Sequence, residues 1–238
     1  MTGRGQPAAA LLLPLSKATE TTAICNSRIL ILGAANGEKV LDDKMIPPLP
    51  PDLGLDHLTV VENALIMPPV GKSGVMQAGV FSATGRFVNE SMVWRGHNPV
   101  IIAPPSPAPA QQRLPGTHLY GGYLSQHFGH FMCESLARMW ALDLVGDTLQ
   151  NALFVPRRKW ETVPPLQPFQ ADFFKLFELE DKVQLVMVPT LVERLIVPSQ
   201  GFGILQLETA SPAFRRRIKS LPWPEPKPDG AKSLYVGR

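Results

Sequence analysis

The chain has 238 residues, 45% of them apolar and 18% charged, with a formal net charge of +3. That length can bury a substantial core, and that composition excludes a disordered or highly solvated chain. The small net charge, with Arg215, Arg216 and Arg217 read as the solvated face of a helix, excludes a nucleic-acid partner, and two cysteines, Cys25 and Cys133, make neither a disulfide framework nor a CxxC metal site.

Residues 1–25 read as a disordered leader. Their apolar run at 8–13 is too short to span a bilayer and sits at the lower limit of a signal segment. Proline, 25 residues in all, clusters at 47–51, 104–109, 164–165 and 222–228 and punctuates the chain. Between the clusters the first half reads as strand, at 28–32 and 58–67, with a hairpin of 74–81 and 86–91 about the turn Ala83-Thr84-Gly85. Glu90 and Arg95 flank a strand end and either reach a site or pair on the surface. His118, Tyr120, Tyr123, Ser125 and Gln126 cluster on a loop around Gly121-Gly122, a pair that suits a close backbone approach or a positive φ. A helix over 127–145 follows, then a strand at 152–155 and a helix at about 169–177 that puts Phe173, Phe174 and Phe177 in the core. Strands at 183–188 and 194–197, a helix at 213–220 and a strand at 234–236 complete the chain. Short apolar strands alternating with helices predict an α/β fold with a parallel, Rossmann-like sheet and additional antiparallel β-structure near the N-terminus. The Gly-rich dinucleotide fingerprint is missing, because Gly201-Phe202-Gly203 opens no helix.

The segment His127 to Arg138 carries the densest chemistry. On a helix, the i,i+3 and i,i+4 spacings of His127, His130, Glu134 and Arg138 line all four up on one face, while Phe128, Phe131, Met132, Leu136, Met139 and Trp140 form a broad apolar surface. Three readings of the stripe stand side by side. It handles a sugar or phosphate, with His or Glu as base and Arg on an anion. It ligates a divalent metal through His, His and a carboxylate. Or it is a structural network in which Glu134 pairs with Arg138. Cys133 on the same helix reads as a small buried thiol, and His57 and His97 as isolated surface histidines.

The context of the stripe carries a resemblance. Gly121-Gly122-Tyr123, His127-Phe128-Gly129-His130-Phe131 and Glu134-Ser135-Leu136-Ala137-Arg138-Met139-Trp140 together resemble the signature of glycosyltransferase family 61. Upstream, Gly85-Arg86-Phe87-Val88-Asn89-Glu90-Ser91 is similar to that family's strand-turn-"ES" segment, and the stretches at 192–199 and 234–238 are similar to its later strands. The resemblance implies a GT-B-type fold of two Rossmann-like domains, with residues 26–238 as the acceptor-side domain and a donor-binding half beyond Arg238. It implies transfer of a sugar from a nucleotide-sugar donor to a glycan or hydroxyl acceptor; the alternatives are a non-catalytic carbohydrate-binding or scaffold domain and a metal-dependent hydrolase that uses the His/His/Glu cluster. Cysteine usage points to a reducing, cytoplasmic compartment, with a membrane-peripheral position compatible. His130 or Glu134 then serves as the base or acceptor-orienting group, with His127, Arg138, Gly122 and Tyr123 as substrate-binding support.

Overall fold

The apolar run Ala152-Leu153-Phe154-Val155 sets the centre of the fold, because all four side chains are fully buried. A computed structural model describes residues 56–70, 75–95, 98–104, 106–157, 163, 165–203 and 210–224. In chain order its strands are β1 (Leu58–Met67), β2 (Met76–Gln77), β3 (Gly79–Phe81), β4 (Trp94–Arg95), β5 (Asn98–Pro99), β6 (Ile101–Ile102), β7 (Gln112–Leu124), β8 (Leu149–Pro156), β9 (Val183–Leu185) and β10 (Thr190–Pro198). Its helices are α1 (Phe128–His130), α2 (Leu142–Val145), α3 (Pro168–Leu176) and α4 (Pro212–Ser220).

Six strands form one sheet in the order β3-β1-β10-β7-β8-β9. The four from β10 to β9 are parallel, while β1 runs antiparallel to β10 and β3 antiparallel to β1. From β7 the chain steps outward to β8 and β9, then returns on the other side of β7 as β10. Such a reversal leaves a crevice at the carboxyl ends of the strands. The protein is therefore a mixed α/β fold with a mostly parallel central sheet.

Along β8 the burial alternates cleanly between two cores. Ala152 and Phe154 join Leu119, Phe131, Trp140, Phe174 and Phe214 on the helical face. Leu153 and Val155 join Val61, Ile66, Val80, Val93 and Ile101 on the other, which the segment 76–102 covers. A strand buried on both faces reads as a continuous apolar run, which is why this one was visible in the sequence. Helix α3 starts at Pro168 and α4 at Pro212, where a missing N–H goes unfelt, and Ser211 Oγ accepts from Phe214 N to cap α4.

Several elements differ from expectation. The region read as a loop at 118–126 is mostly the long strand β7, which absorbs its strand breakers as bulges. Its register shifts at Pro115-Gly116 against β10 and at Gly121 against β8. The N–H freed at Gly116 goes to Glu193 Oε2 at 2.6 Å. Gly122 has φ +90, and a Cβ there would sit 2.8 Å from Arg138 Nη1, so the glycine pair does serve both a close approach and a positive φ. The hairpin shrinks to pairing around the turn at 82–85, with Val88 N on Val80 O, because 89–91 turns as a 3₁₀ segment. The strand expected at 183–188 stops at Leu185, and the one expected at 194–197 extends to Thr190–Pro198. Cys133 is half-buried rather than buried, and burial pushes its thiol pKa up. The leader at 1–25, the strands at 28–32 and 234–236, Cys25 and His97 lie outside the described residues.

Gly121 backs directly onto the Phe154 ring, which any Cβ would overlap. Gly121→Ala should therefore cost about 1–3 kcal/mol as overpacking, read by chemical denaturation. Gly129→Ala, whose Cβ meets only the His127 ring at 3.7 Å, should be tolerated in the same assay.

Candidate functional site

Immediately after β7 the chain should enter a regular helix, and it does not. Leu136 N bonds Phe131 O, a one-residue-wider turn over Phe131–Ser135, and 3₁₀ geometry follows at Met139–Ala141 before α2. Tertiary hydrogen bonds replace the helical ones here. Gly201 N takes the Ala137 carbonyl at 2.8 Å, and Ser135 Oγ accepts Ser125 N at 3.0 Å. The extra residue in the turn rotates Arg138 away from the stripe, so Glu134 and Arg138 form no pair.

Each of these two fully buried charges finds its partners elsewhere, although Arg138 Nη1 is left without a hydrogen-bond partner among the described residues. Arg138 donates from Nε to Pro198 O at 3.1 Å and from Nη2 to Glu90 O at 2.8 Å and Met92 O at 2.5 Å. Its guanidinium lies 5.7 Å from the Tyr120 ring centroid. Burial lowers its pKa to about 10, which still leaves it charged at neutral pH. The same burial raises the Tyr120 hydroxyl to about 12.

Glu134 is held by Arg95 in a two-pronged pair, Nε to Oε1 at 2.7 Å and Nη2 to Oε2 at 2.9 Å, and Tyr123 OH donates to Oε2 as well. Burial first, then the Glu134 charge, raises the Tyr123 pKa well above its ordinary value, so it remains a donor. Arg95 Nη2 also reaches His130 Nδ1 at 3.1 Å. A guanidinium only donates, so this nitrogen of His130 accepts and the neutral ring carries its proton on Nε2. Glu134 Oε2 lies 3.5 Å from the same Nδ1, a separation that would be an ion pair only with a protonated ring. Burial, aided by the charges of Arg95 and Arg157, lowers the His130 pKa against the pull of Glu134, so the neutral ring prevails. His127 stacks at a tilt on His130, with ring centroids 5.0 Å apart.

Arg95 reaches Glu134 because its strand is clamped. The Gln200 side chain accepts Trp94 N at 2.8 Å and donates to Trp94 O at 3.0 Å, as a neighbouring strand would. Gln200 in turn follows Pro198, whose carbonyl Arg138 holds.

A cleft of about 350 Å³ opens beside this cluster, at the carboxyl ends of β7, β8 and β9. Ser125, Gln126, His127 and His130 line it, together with Arg157 just past β8 and Gln170 on α3. Gln170 Nε2 donates to Ser125 O at 2.7 Å and Oε1 accepts Gln167 N at 2.7 Å, which ties α3 to the β7 exit.

Of the residues expected at a site, His127 and His130 meet in the cleft, and Glu134 and Tyr123 lie directly behind them. Arg138 and Gly122 face each other in the interior instead. His118, read as part of the same cluster, is buried in β7 and bonds Pro115 O at 2.9 Å. Arg95 had no local signal that fixed its role. Arg157 was overlooked, although Arg157-Arg158-Lys159 is a basic triplet directly after a strand. A divalent metal does not fit the stripe: the Arg95 guanidinium occupies the open face of Glu134 and the lone pair of His130 that a cation would need. Among the described residues no group of three His, Cys, Asp or Glu side chains is placed to hold a metal.

No family model, no curated protein and no solved structure matches the chain.

Replacing Arg138 by Met leaves three carbonyls short of a donor, and the expected loss is upwards of about 3 kcal/mol by denaturant titration. Because the folded pKa of His130 lies below its ordinary 6.5, the unfolded chain binds that proton first as pH falls. The contribution of His130 is complete above pH 6.5 and declines below it. As the pH falls below 6.5, wild type should lose stability in a step that His130→Gln lacks, measured as Tm against pH.

Proposed function

We propose that this chain is the acceptor-side domain of a GT-B-type glycosyltransferase, which moves a sugar from a nucleotide-sugar donor to a hydroxyl of a glycan acceptor. The observation that carries the reading is the cleft at the carboxyl ends of the parallel strands, with His127 and His130 in its wall and a buried Arg95–Glu134–Tyr123 cluster fixing them from behind. Two further observations support it. The strand order β10-β7-β8-β9, with its reversal at β7, is the order of a Rossmann-like half-sheet. And three of the segments that carry the resemblance to family 61, at 85–91, 127–138 and 192–199, meet at the Arg138 side chain.

In this reading the residues divide the work. His127 lines the cleft with no guanidinium bonded to its ring among the described residues, and takes the proton of the acceptor hydroxyl as that oxygen attacks C1 of the donor sugar. The bond from C1 to the diphosphate oxygen breaks, and the diphosphate leaves with the electron pair. His130, with Nδ1 occupied by Arg95, offers its Nε2–H to an acceptor or leaving-group oxygen. Glu134 has both oxygens engaged and touches no ligand; it is a positioning residue, holding Arg95 and through it His130. The donor nucleotide is held by a second Rossmann-like domain. The site works in the cytoplasm, where a membrane-peripheral position is compatible with it; among the described residues no helix is long and apolar enough to cross a bilayer.

A screen of nucleotide sugars for transfer and for donor hydrolysis, run on the protein that carries both the acceptor-side and the donor-binding domain, tests the reading. His127→Ala should lower kcat by about 100-fold, in the range of a lost general base. Glu134→Gln should lower it less and displace the His130 ring resonances. Full turnover in both variants would remove the site, and a wild-type protein that neither turns over nor binds any sugar would remove the reading.

A further inference from the structure

The cleft is electrostatically one-sided. Among the described residues its polar lining is Ser125, Gln126, His127, His130, Arg157 and Gln170, with no carboxylate. Glu134, the acid next to the lining histidines, is fully buried and neutralised by Arg95. Arg157, one residue beyond the end of β8, is exposed and makes no ion pair among the described residues. Its charge is felt at His130 and Tyr123, which places it in the same field. Gln170 spends both ends of its amide on Ser125 and Gln167, so it has little left for a ligand. An exposed guanidinium at the wall of a concave site, with no acid paired to it among the described residues, concentrates anions and offers a two-pronged grip on an oxyanion. A neutral sugar needs no such group.

We propose that the ligand of this cleft carries an oxyanion, either a sugar carboxylate or a phosphate, and that Arg157 pairs with it. Combined with the transferase reading, on which this further step rests for the word acceptor, the acceptor is an acidic sugar or a phosphorylated one rather than a neutral glycan. The anion sits at Arg157, and the reacting hydroxyl falls to the histidines.

The experiment is a binding titration on the full chain with no donor present, using glucuronate, inorganic phosphate and glucose as probes. It is followed by calorimetry and by the histidine ring resonances. At least one anion should bind ten or more times tighter than glucose. Arg157→Gln should abolish that preference, and Arg157→Lys should restore part of it, since a point charge replaces the fork. A preference for glucuronate over phosphate identifies the anion as a carboxylate, and the reverse identifies a phosphate; either supports the proposal. Glucose binding as tightly as both anions overturns it. So does an absence of anion binding, or an Arg157→Gln protein that binds the anions as wild type does. Because no donor is used, a failure of sugar transfer leaves this result untouched, and unchanged anion binding in the variant overturns the proposal even in an active transferase.

Discussion

A guanidinium with no solvent exposure and no acidic partner dictates much of this structure. Arg138 has to be surrounded by oxygen to be tolerated, and the oxygens come from three places in the chain: Glu90, Met92 and Pro198. Burying a charge without such donors and acceptors is among the costliest events in folding. The requirement therefore acts as a clamp, fixing the turn at 89–92 against the end of β10. It also explains Gly122, whose missing side chain leaves the room that Arg138 Nη1 fills.

From that clamp the site follows by short steps. The fixed end of β10 places Gln200, Gln200 pairs with the Trp94 backbone, and Arg95 is delivered to Glu134. Glu134 solves the opposite problem to Arg138: it is a buried carboxylate that needs a cation, and it obtains one from a strand 39 residues away. The outcome is a neutral His130 with a defined tautomer beside a cleft, and a second histidine stacked on it. Two buried charges are thus used to orient groups that are themselves only partly buried.

The sequence disclosed the parts of this that are local. β8 was visible because both its faces are buried, α3 because Phe173, Phe174 and Phe177 recur at helical spacing, and α4 because Arg215, Arg216 and Arg217 read as the solvated face of a helix. β7 was hidden by Pro115, Gly116, Gly121 and Gly122, which weaken any strand pattern; only pairing with β10 and β8 turns them into bulges. The helix over 127–145 was expected from an apolar period that is real, but the wide turn at Phe131–Ser135 is set by contacts with residues 125 and 201. One added residue separated Glu134 from Arg138, and so the pairing with Arg95 could not be read from spacing. His127 and His130 were legible because they precede the added residue.

The central claim is that Arg95, delivered by the Arg138 clamp, sets the tautomer of His130 and reinforces burial in keeping its ring neutral. Titration of the His130 ring by NMR in wild type and in Arg95→Met tests it directly. With the guanidinium removed and Glu134 left unanswered beside it, the His130 pKa should rise above its wild-type value, toward or past the ordinary 6.5. An unchanged or lower pKa in Arg95→Met would contradict the account.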